Sequence, residues 1–160
     1  MEDKERTGTI VVPNDVFFAH VCESLAGGLS VTFTVKGYSM FPFLRNEKDR
    51  VCLKPSDGNG LQTGDVILFR YHGRYILHRI YSVEKTHDGC PLYKTMGDGN
   101  VKGTEHARPE DIAGVMVKRM TPEGKVWDCS SGTWKSFSSL WRRLLPVRRL
   151  LLAVFRRILR

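Results

Sequence analysis

The sequence predicts a mainly β fold with a short N-terminal helix and a basic amphipathic helix at its C-terminal end. The β core is expected at about residues 29–120. Along this stretch six short runs of β-branched and aromatic residues follow one another. Turn-forming Gly, Asp, Asn and Pro separate the runs. Such a regular series of short strands is typical of a sandwich or a barrel-like sheet.

The N-terminal helix is expected at about 14–26. Asn14 or Asp15 is a plausible N-cap, apolar residues follow at helical spacing, and Gly27 with Gly28 ends the segment. The predicted strands then follow in chain order as LSVTFTV, DRVCLKP, GDVILFRY, RYILHRIYSV, PLYKTMG and IAGVMVKRM. We therefore expect a domain over 1–128, followed by a tail over 129–160.

The tail carries the net charge of the protein. Residues 1–128 balance 17 basic against 17 acidic residues, whereas 129–160 hold eight basic residues and no acid, which accounts for the formal +8. The stretch 129–139 predicts a linker, and an amphipathic helix that Pro146 would kink or split is expected after it. Burying its arginines in a bilayer would cost about 2.5–3.5 kcal/mol each near the centre, which excludes spanning.

Lying flat on an anionic membrane is favourable for such a helix, because each Arg near the surface gains about 1 kcal/mol. Packing of the helix on the domain or on another chain is the alternative. The arginines without acidic partners favour the membrane surface. The residues expected to contact it are Trp141, Arg142, Arg143, Arg148, Arg149, Phe155, Arg156 and Arg157.

Other classes of function are disfavoured by composition. The four cysteines stand far apart, so neither a zinc site nor a disulfide framework is expected, and the sequence predicts no metal and no cofactor. The positive charge sits in the tail rather than across a face, so no nucleic-acid partner is expected. The acidic N-terminus without a long apolar core predicts no signal peptide. These features favour a cytoplasmic protein, peripheral on the membrane.

Three separated residues are candidates for chemistry. In VKGYSMFPFL a hydroxyl, Ser39, stands between a glycine and a proline. A serine needs a base to become a nucleophile, and His78 in RYILHRI is a candidate on the strand face of Ile76 and Ile80. Asp98, in the glycine-flanked turn TMGDGN, is a candidate for orienting the imidazole. Taken singly, each is better explained as an ordinary strand or turn residue.

Together and in order, these motifs resemble the signal peptidase I superfamily, which includes LexA-type self-cleaving repressors. The resemblance runs from about residue 31 to 120 and is most specific at Ser39-Met40-x-Pro42 and at Gly64-Asp65-Val66. It implies a coiled β-domain of the signal-peptidase and LexA type. Histidine at position 78, where bacterial members have lysine, resembles the archaeal and endoplasmic-reticulum enzymes.

The resemblance implies that Ser39 attacks the scissile carbonyl, His78 is the general base and Asp98 orients it. Gly37 would leave the oxyanion to backbone N–H groups, Met40 would pack beneath the site, and Pro42 would stiffen the exit. The sequence departs from the family in lacking a membrane span before the serine. It also lacks the second aspartate that normally follows the Gly-Asp turn, unless Glu105 substitutes for it.

The leading hypothesis is therefore a serine endopeptidase that cleaves an extended peptide near a membrane surface, with a peptide or protein as its substrate. One alternative is a LexA-like regulatory protein. The 30 residues before the β core are too few for a helix-turn-helix domain with a linker, and the lysine base is missing. The other alternative is a catalytically inactive, membrane-peripheral module that binds peptides.

Overall fold

The computed structural model describes residues 14–158, so predictions that fall on residues 1–13 and 159–160 lie outside the described part. The first element, α1, spans Asn14–Ala26, as the sequence predicts. Its residues Val21 and Leu25 are buried, and the Gly27 and Gly28 amides donate to the carbonyls of the last turn. The helix therefore packs on the sheet through one apolar edge.

Within the described residues, the β core consists of eight strands in one antiparallel sheet. The strands are β1 Val31–Thr34, β2 Arg50–Pro55, β3 Val66–Tyr71, β4 Arg74–Lys85, β5 Pro91–Met96, β6 Glu105–Ala107, β7 Ile112–Met120 and β8 Val126–Asp128. Seven of them lie in the order β1-β2-β7-β3-β4-β5-β6, and β8 pairs with β7. The six predicted runs all form strands. The mainly β class is confirmed, and the three-residue strands β6 and β8 are additions that the sequence pattern did not reveal.

Both faces of the central strand β3 are buried. Val66 and Leu68 lie in one apolar cluster together with α1, β1, β2 and β7, whereas Ile67 and Phe69 lie in a second cluster with β4, β5 and β6. Successive strand residues point to opposite faces, so β3 separates two cores. The first of these cores also holds Met40 and Trp134.

The predicted linker over 129–139 is wrong. Residues Gly132–Arg143 form a helix, α2, whose N-cap Ser131 accepts a hydrogen bond from the Trp134 amide. Trp134 and Ser138 are buried on the sheet. Of the serines in this stretch, Ser131 caps the helix and Ser138 packs on the domain, and the buried indole supplies the apolar surface that fixes the helix.

The tail is helical and Pro146 splits it, as expected. A 3₁₀ turn over Leu145–Val147 leads into α3, which spans Arg148–Ile158. Among residues 14–158, no helix combines the length and the apolar character needed to cross a bilayer.

Two of the predicted membrane contacts, Trp141 and Arg148, are wrong because their side chains pack on the domain. Trp141 is 5% exposed and Arg148 is fully buried. Phe155 is half-buried against Trp141, with ring centroids 6.0 Å apart. The helical pattern of the tail could not separate a face that packs on protein from one that faces lipid. Of the other predicted contacts, Arg142 is half-buried, and the exposed ones are Arg143, Arg149, Arg156 and Arg157.

Candidate active site

The serine segment, residues 35–44, follows β1 and forms consecutive turns. Gly37 has φ +97°, a conformation that favours glycine, and its N–H donates to Asn46 Oδ1 at 2.7 Å. This N–H is therefore committed to Asn46 and cannot hold an oxyanion. Ser39 is exposed, whereas Met40 is 5% exposed and lies in the first core. Pro42 is half-buried.

His78 lies in β4 opposite Ile67 of β3, and the residue is 5% exposed. Ser39 and His78 line the same cavity of about 330 Å³. In the described structure no hydrogen bond joins the serine hydroxyl to the imidazole. Such contacts often shorten only when substrate binds. The fold therefore brings together the two residues that the sequence places 39 positions apart.

The carboxylate on His78 comes from Glu105 in β6. The imidazole Nδ1 lies 2.9 Å from Glu105 Oε2, and the Thr95 hydroxyl donates to the same oxygen at 3.1 Å. An ionised carboxylate only accepts hydrogen bonds, so this contact requires the proton on Nδ1, which leaves the lone pair on Nε2 when the ring carries one proton. Thr95 was not identified from the sequence, because its position opposite Glu105 follows only from the pairing of β5 with β6.

Asp98 does not orient the imidazole, which corrects the sequence-based assignment. Both of its carboxylate oxygens accept hydrogen bonds from Arg79, with the shortest N–O distance 2.7 Å, and both side chains are fully buried. The physical reason is strand alternation: Arg79 follows His78 and projects to the opposite face of β4. The carboxylate of the Gly-Asp turn lies on the arginine side, and Glu105 lies on the histidine side.

The turn that holds Asp98 is in direct contact with the serine segment. The Gly99 N–H donates to the Ser39 carbonyl at 2.7 Å. A methyl group added at Gly97 would lie 2.9 Å from His78 Nε2, with the Ser39 carbonyl oxygen closer still. The Nε2 atom and the serine backbone therefore approach one another across a residue that must lack a side chain. Glycine at 97 is required for space rather than for a positive φ.

The C-terminal helices hold this turn from the other side. The Trp141 indole N–H donates to the Asp98 carbonyl at 3.0 Å, and Arg148 Nη1 donates to the Asn100 carbonyl at 3.3 Å. Arg148 Nη2 also donates to the Tyr81 hydroxyl. Burial and the nearby Asp98 carboxylate raise the pKa of the Tyr81 phenol, which keeps it protonated.

Arg79 connects α2 to the same assembly. Its Nη1 donates to the Gly64 carbonyl at 2.9 Å and to Ser138 Oγ at 2.7 Å. The guanidinium also lies over the ring of Phe43, 4.7 Å from the centroid. A buried arginine of this kind needs several partners at once, and here they come from four separate parts of the chain. The predicted Gly64-Asp65-Val66 motif thus supplies an acceptor to the buried ion pair.

One edge of β4 is open beside the cavity. The strand pairs with β3 from Arg74 to Arg79, but its ladder with β5 begins only at Arg79. Within residues 14–158, the second edge of the strand from Arg74 to His78 therefore has no ladder partner. Apolar residues from α1, β1, the serine segment and β4 line the cavity along this edge, namely Phe18, Phe33, Val35, Met40, Leu44, Tyr75 and Leu77.

Neither a protein-family model nor a curated protein matches the sequence. The functional assignment therefore depends on the residues and their arrangement.

Proposed function

We propose that the protein is a serine endopeptidase of the signal-peptidase-like type, in which Ser39, His78 and Glu105 form the catalytic group. The observation that supports this proposal most directly is the environment of the His78 imidazole. The ring is shielded from solvent, held by a carboxylate at Nδ1, and shares one cavity with an exposed serine. A nucleophile, a base and a group that orients the base are the parts that acyl transfer requires.

In the proposed reaction Ser39 Oγ attacks the scissile carbonyl while His78 Nε2 accepts the hydroxyl proton. The imidazolium that forms is stabilised by Glu105, and it then gives the proton to the leaving amine. An acyl-enzyme on Ser39 remains, and water activated by the same imidazole hydrolyses it. Because the Gly37 N–H is bonded to Asn46, the proposal assigns oxyanion stabilisation to other backbone N–H groups, including that of Ser39.

The proposed substrate is an extended segment of a peptide or protein. The open edge of β4 between Arg74 and His78 supports this, because an extended peptide can add to a strand edge through main-chain hydrogen bonds. The apolar lining of the cavity offers contacts for alternate side chains of such a segment. The resemblance further suggests small side chains at the cleavage position.

The same proposal assigns the β core to the signal-peptidase and LexA type of fold. Support comes from the motif order and from the place where the motifs meet, since the serine segment and the Gly-Asp turn contact one another. We also propose a cytoplasmic location. All four cysteines lie within the described residues as free thiols, the usual state in a reducing compartment.

The test is cleavage of an extended peptide library by the purified protein, read by mass spectrometry. Ser39→Ala and His78→Ala should each reduce kcat/KM by at least about a hundredfold. Ser136→Ala and His106→Gln are matched controls, because both residues are exposed and lie outside the cavity. Cleavage at the wild-type rate by both Ser39→Ala and His78→Ala would refute the proposal.

A further inference from the structure

The outward side of α3 combines large aliphatic residues with arginines. Leu150 and Ile158 are each 69% exposed and Val154 is 46% exposed, and their spacing of four residues places them in one row along the helix. Next to this row lie three exposed arginines, Arg149, Arg156 and Arg157. These six residues are called the outer face of α3 below.

The inner side of the same helix is fixed to the domain. Arg148 and Leu152 are buried, and Leu152 packs in a cluster with Phe41 and Trp141. Phe155 adds to this cluster. The helix therefore cannot roll to bury its exposed row without breaking these contacts, so the outer face is presented in a fixed orientation.

The outer face has no acidic counterpart nearby in the sequence. Residues 129–160 contain eight basic residues and no acid. In the part of the chain that the structure describes, no salt bridge involves the three arginines of the outer face. Such unpaired charges beside exposed aliphatic residues form a surface that is complementary to a negatively charged, partly apolar partner.

We propose that the outer face of α3 binds the surface of an anionic lipid bilayer. The aliphatic row would enter the boundary between headgroups and acyl chains, and the arginines would contact the lipid phosphates. A nucleic acid would satisfy the arginines but would leave the aliphatic row exposed to water. This inference goes beyond the proposed peptidase activity and does not depend on it.

Docking of this face would bring the candidate active site close to the membrane. Arg148, the first residue of α3, donates to the Asn100 carbonyl, and the neighbouring Gly99 N–H donates to the Ser39 carbonyl. This turn thus contacts both the helix and the serine segment.

The experiment is co-sedimentation of the full chain with phosphatidylcholine vesicles that contain or lack phosphatidylglycerol. The wild type and Ser39→Ala should bind the anionic vesicles equally, which separates this inference from the peptidase proposal. Each arginine near an anionic surface contributes about fivefold in affinity. The variant that combines Arg149→Gln, Arg156→Gln and Arg157→Gln should therefore bind about a hundredfold more weakly.

Matched controls change the same number of exposed groups elsewhere. Arg50→Gln, Arg70→Gln and Lys85→Gln together remove three exposed charges from the β core and should reduce binding much less. For the aliphatic row, Leu150→Gln, Val154→Gln and Ile158→Gln together should weaken binding by about tenfold or more. The matched control for this variant combines Leu29→Gln, Val83→Gln and Val126→Gln, which also change three exposed aliphatic residues. Thermal melts verify that each variant is folded.

Three results would overturn the proposal. The first is equal binding of anionic vesicles by the wild type and the arginine variant. The second is binding of duplex DNA that is tighter than binding of anionic vesicles and is lost in the arginine variant. The third is a dimer in sedimentation analysis that the aliphatic variant abolishes, without any vesicle binding. The last two would assign the outer face to a nucleic acid or to a second copy of the chain.

Discussion

Replacing one carboxylate at a time with its neutral amide separates the role of Glu105 from that of Asp98. Glu105→Gln keeps an oxygen that can accept from His78 Nδ1 but removes the negative charge that would stabilise the imidazolium. Asp98→Asn removes the negative charge that faces the buried guanidinium of Arg79. We expect the first change to lower activity and the second to lower stability.

The magnitudes follow from the surroundings of the two carboxylates. The Glu105 side chain is 16% exposed and 2.9 Å from the imidazole. A hydrogen bond to a charged group contributes about 1.5–3 kcal/mol, which corresponds to a loss of roughly ten- to a hundredfold in kcat/KM. Asp98 and Arg79 are both fully buried, and breaking such a pair typically costs about 3–5 kcal/mol of unfolding free energy.

Two assays on the same preparations distinguish the roles of the two carboxylates. Denaturant unfolding gives the free energy of unfolding, and peptide cleavage gives kcat/KM per folded molecule. Glu105→Gln should lose activity with little change in stability. Asp98→Asn should instead lose stability, with a melting temperature lower by roughly 10 °C, and should lose less activity per folded molecule. A fully active Glu105→Gln variant beside a stable but inactive Asp98→Asn variant would refute the assignment and restore Asp98 as the orienting acid.

The remaining predictions concern space at the site and the reactivity of thiols. Gly97→Ala should abolish peptide cleavage, because its methyl group would overlap the serine carbonyl oxygen. Gly132→Ala, where the added methyl group meets nothing within 4 Å, should leave cleavage unchanged. Burial raises the pKa of Cys129 to about 12, so at pH 8 this thiol should react with iodoacetamide far more slowly than the exposed Cys90. Peptide mapping by mass spectrometry checks this order, and faster labelling of Cys129 would contradict its burial.

Local sequence pattern was sufficient for most of the sheet. The six predicted strands are recognisable from their β-branched and aromatic residues, and α1 is recognisable from the glycine pair that ends it. Strands β6 and β8 span three residues each and are strands only because β5 and β7 pair with them. Pairing across the sheet is not encoded in such short segments, so a reading of the sequence could not find them.

The sequence pointed to the proposed nucleophile and base, but not to the carboxylate that contacts the imidazole. Ser39 and His78 stand in motifs that resemble a known family, and they share a cavity. Two acids, Asp98 and Glu105, were available for the imidazole, and the choice depends on which face of β4 each one meets. That depends on the pairing of β4, β5 and β6, which includes an irregular register between Ile80 and Ser82.

Two residues of the tail were assigned wrongly for a related reason. An amphipathic pattern defines two sides of a helix but not which side meets protein. Trp141 and Arg148 are residues typical of a membrane interface, yet here they hold the turn that carries Asp98. A buried arginine is stable only with several partners, and those partners are distant in sequence.

The central claim is that His78 activates Ser39. The most direct measurement is covalent labelling by a peptidyl phosphonate, with the modified residue located by mass spectrometry. The account predicts a single phosphonylated peptide that contains Ser39 in the wild type and no labelling in His78→Ala. Labelling of other serines alone, or equal labelling of Ser39 with and without the imidazole, would contradict it.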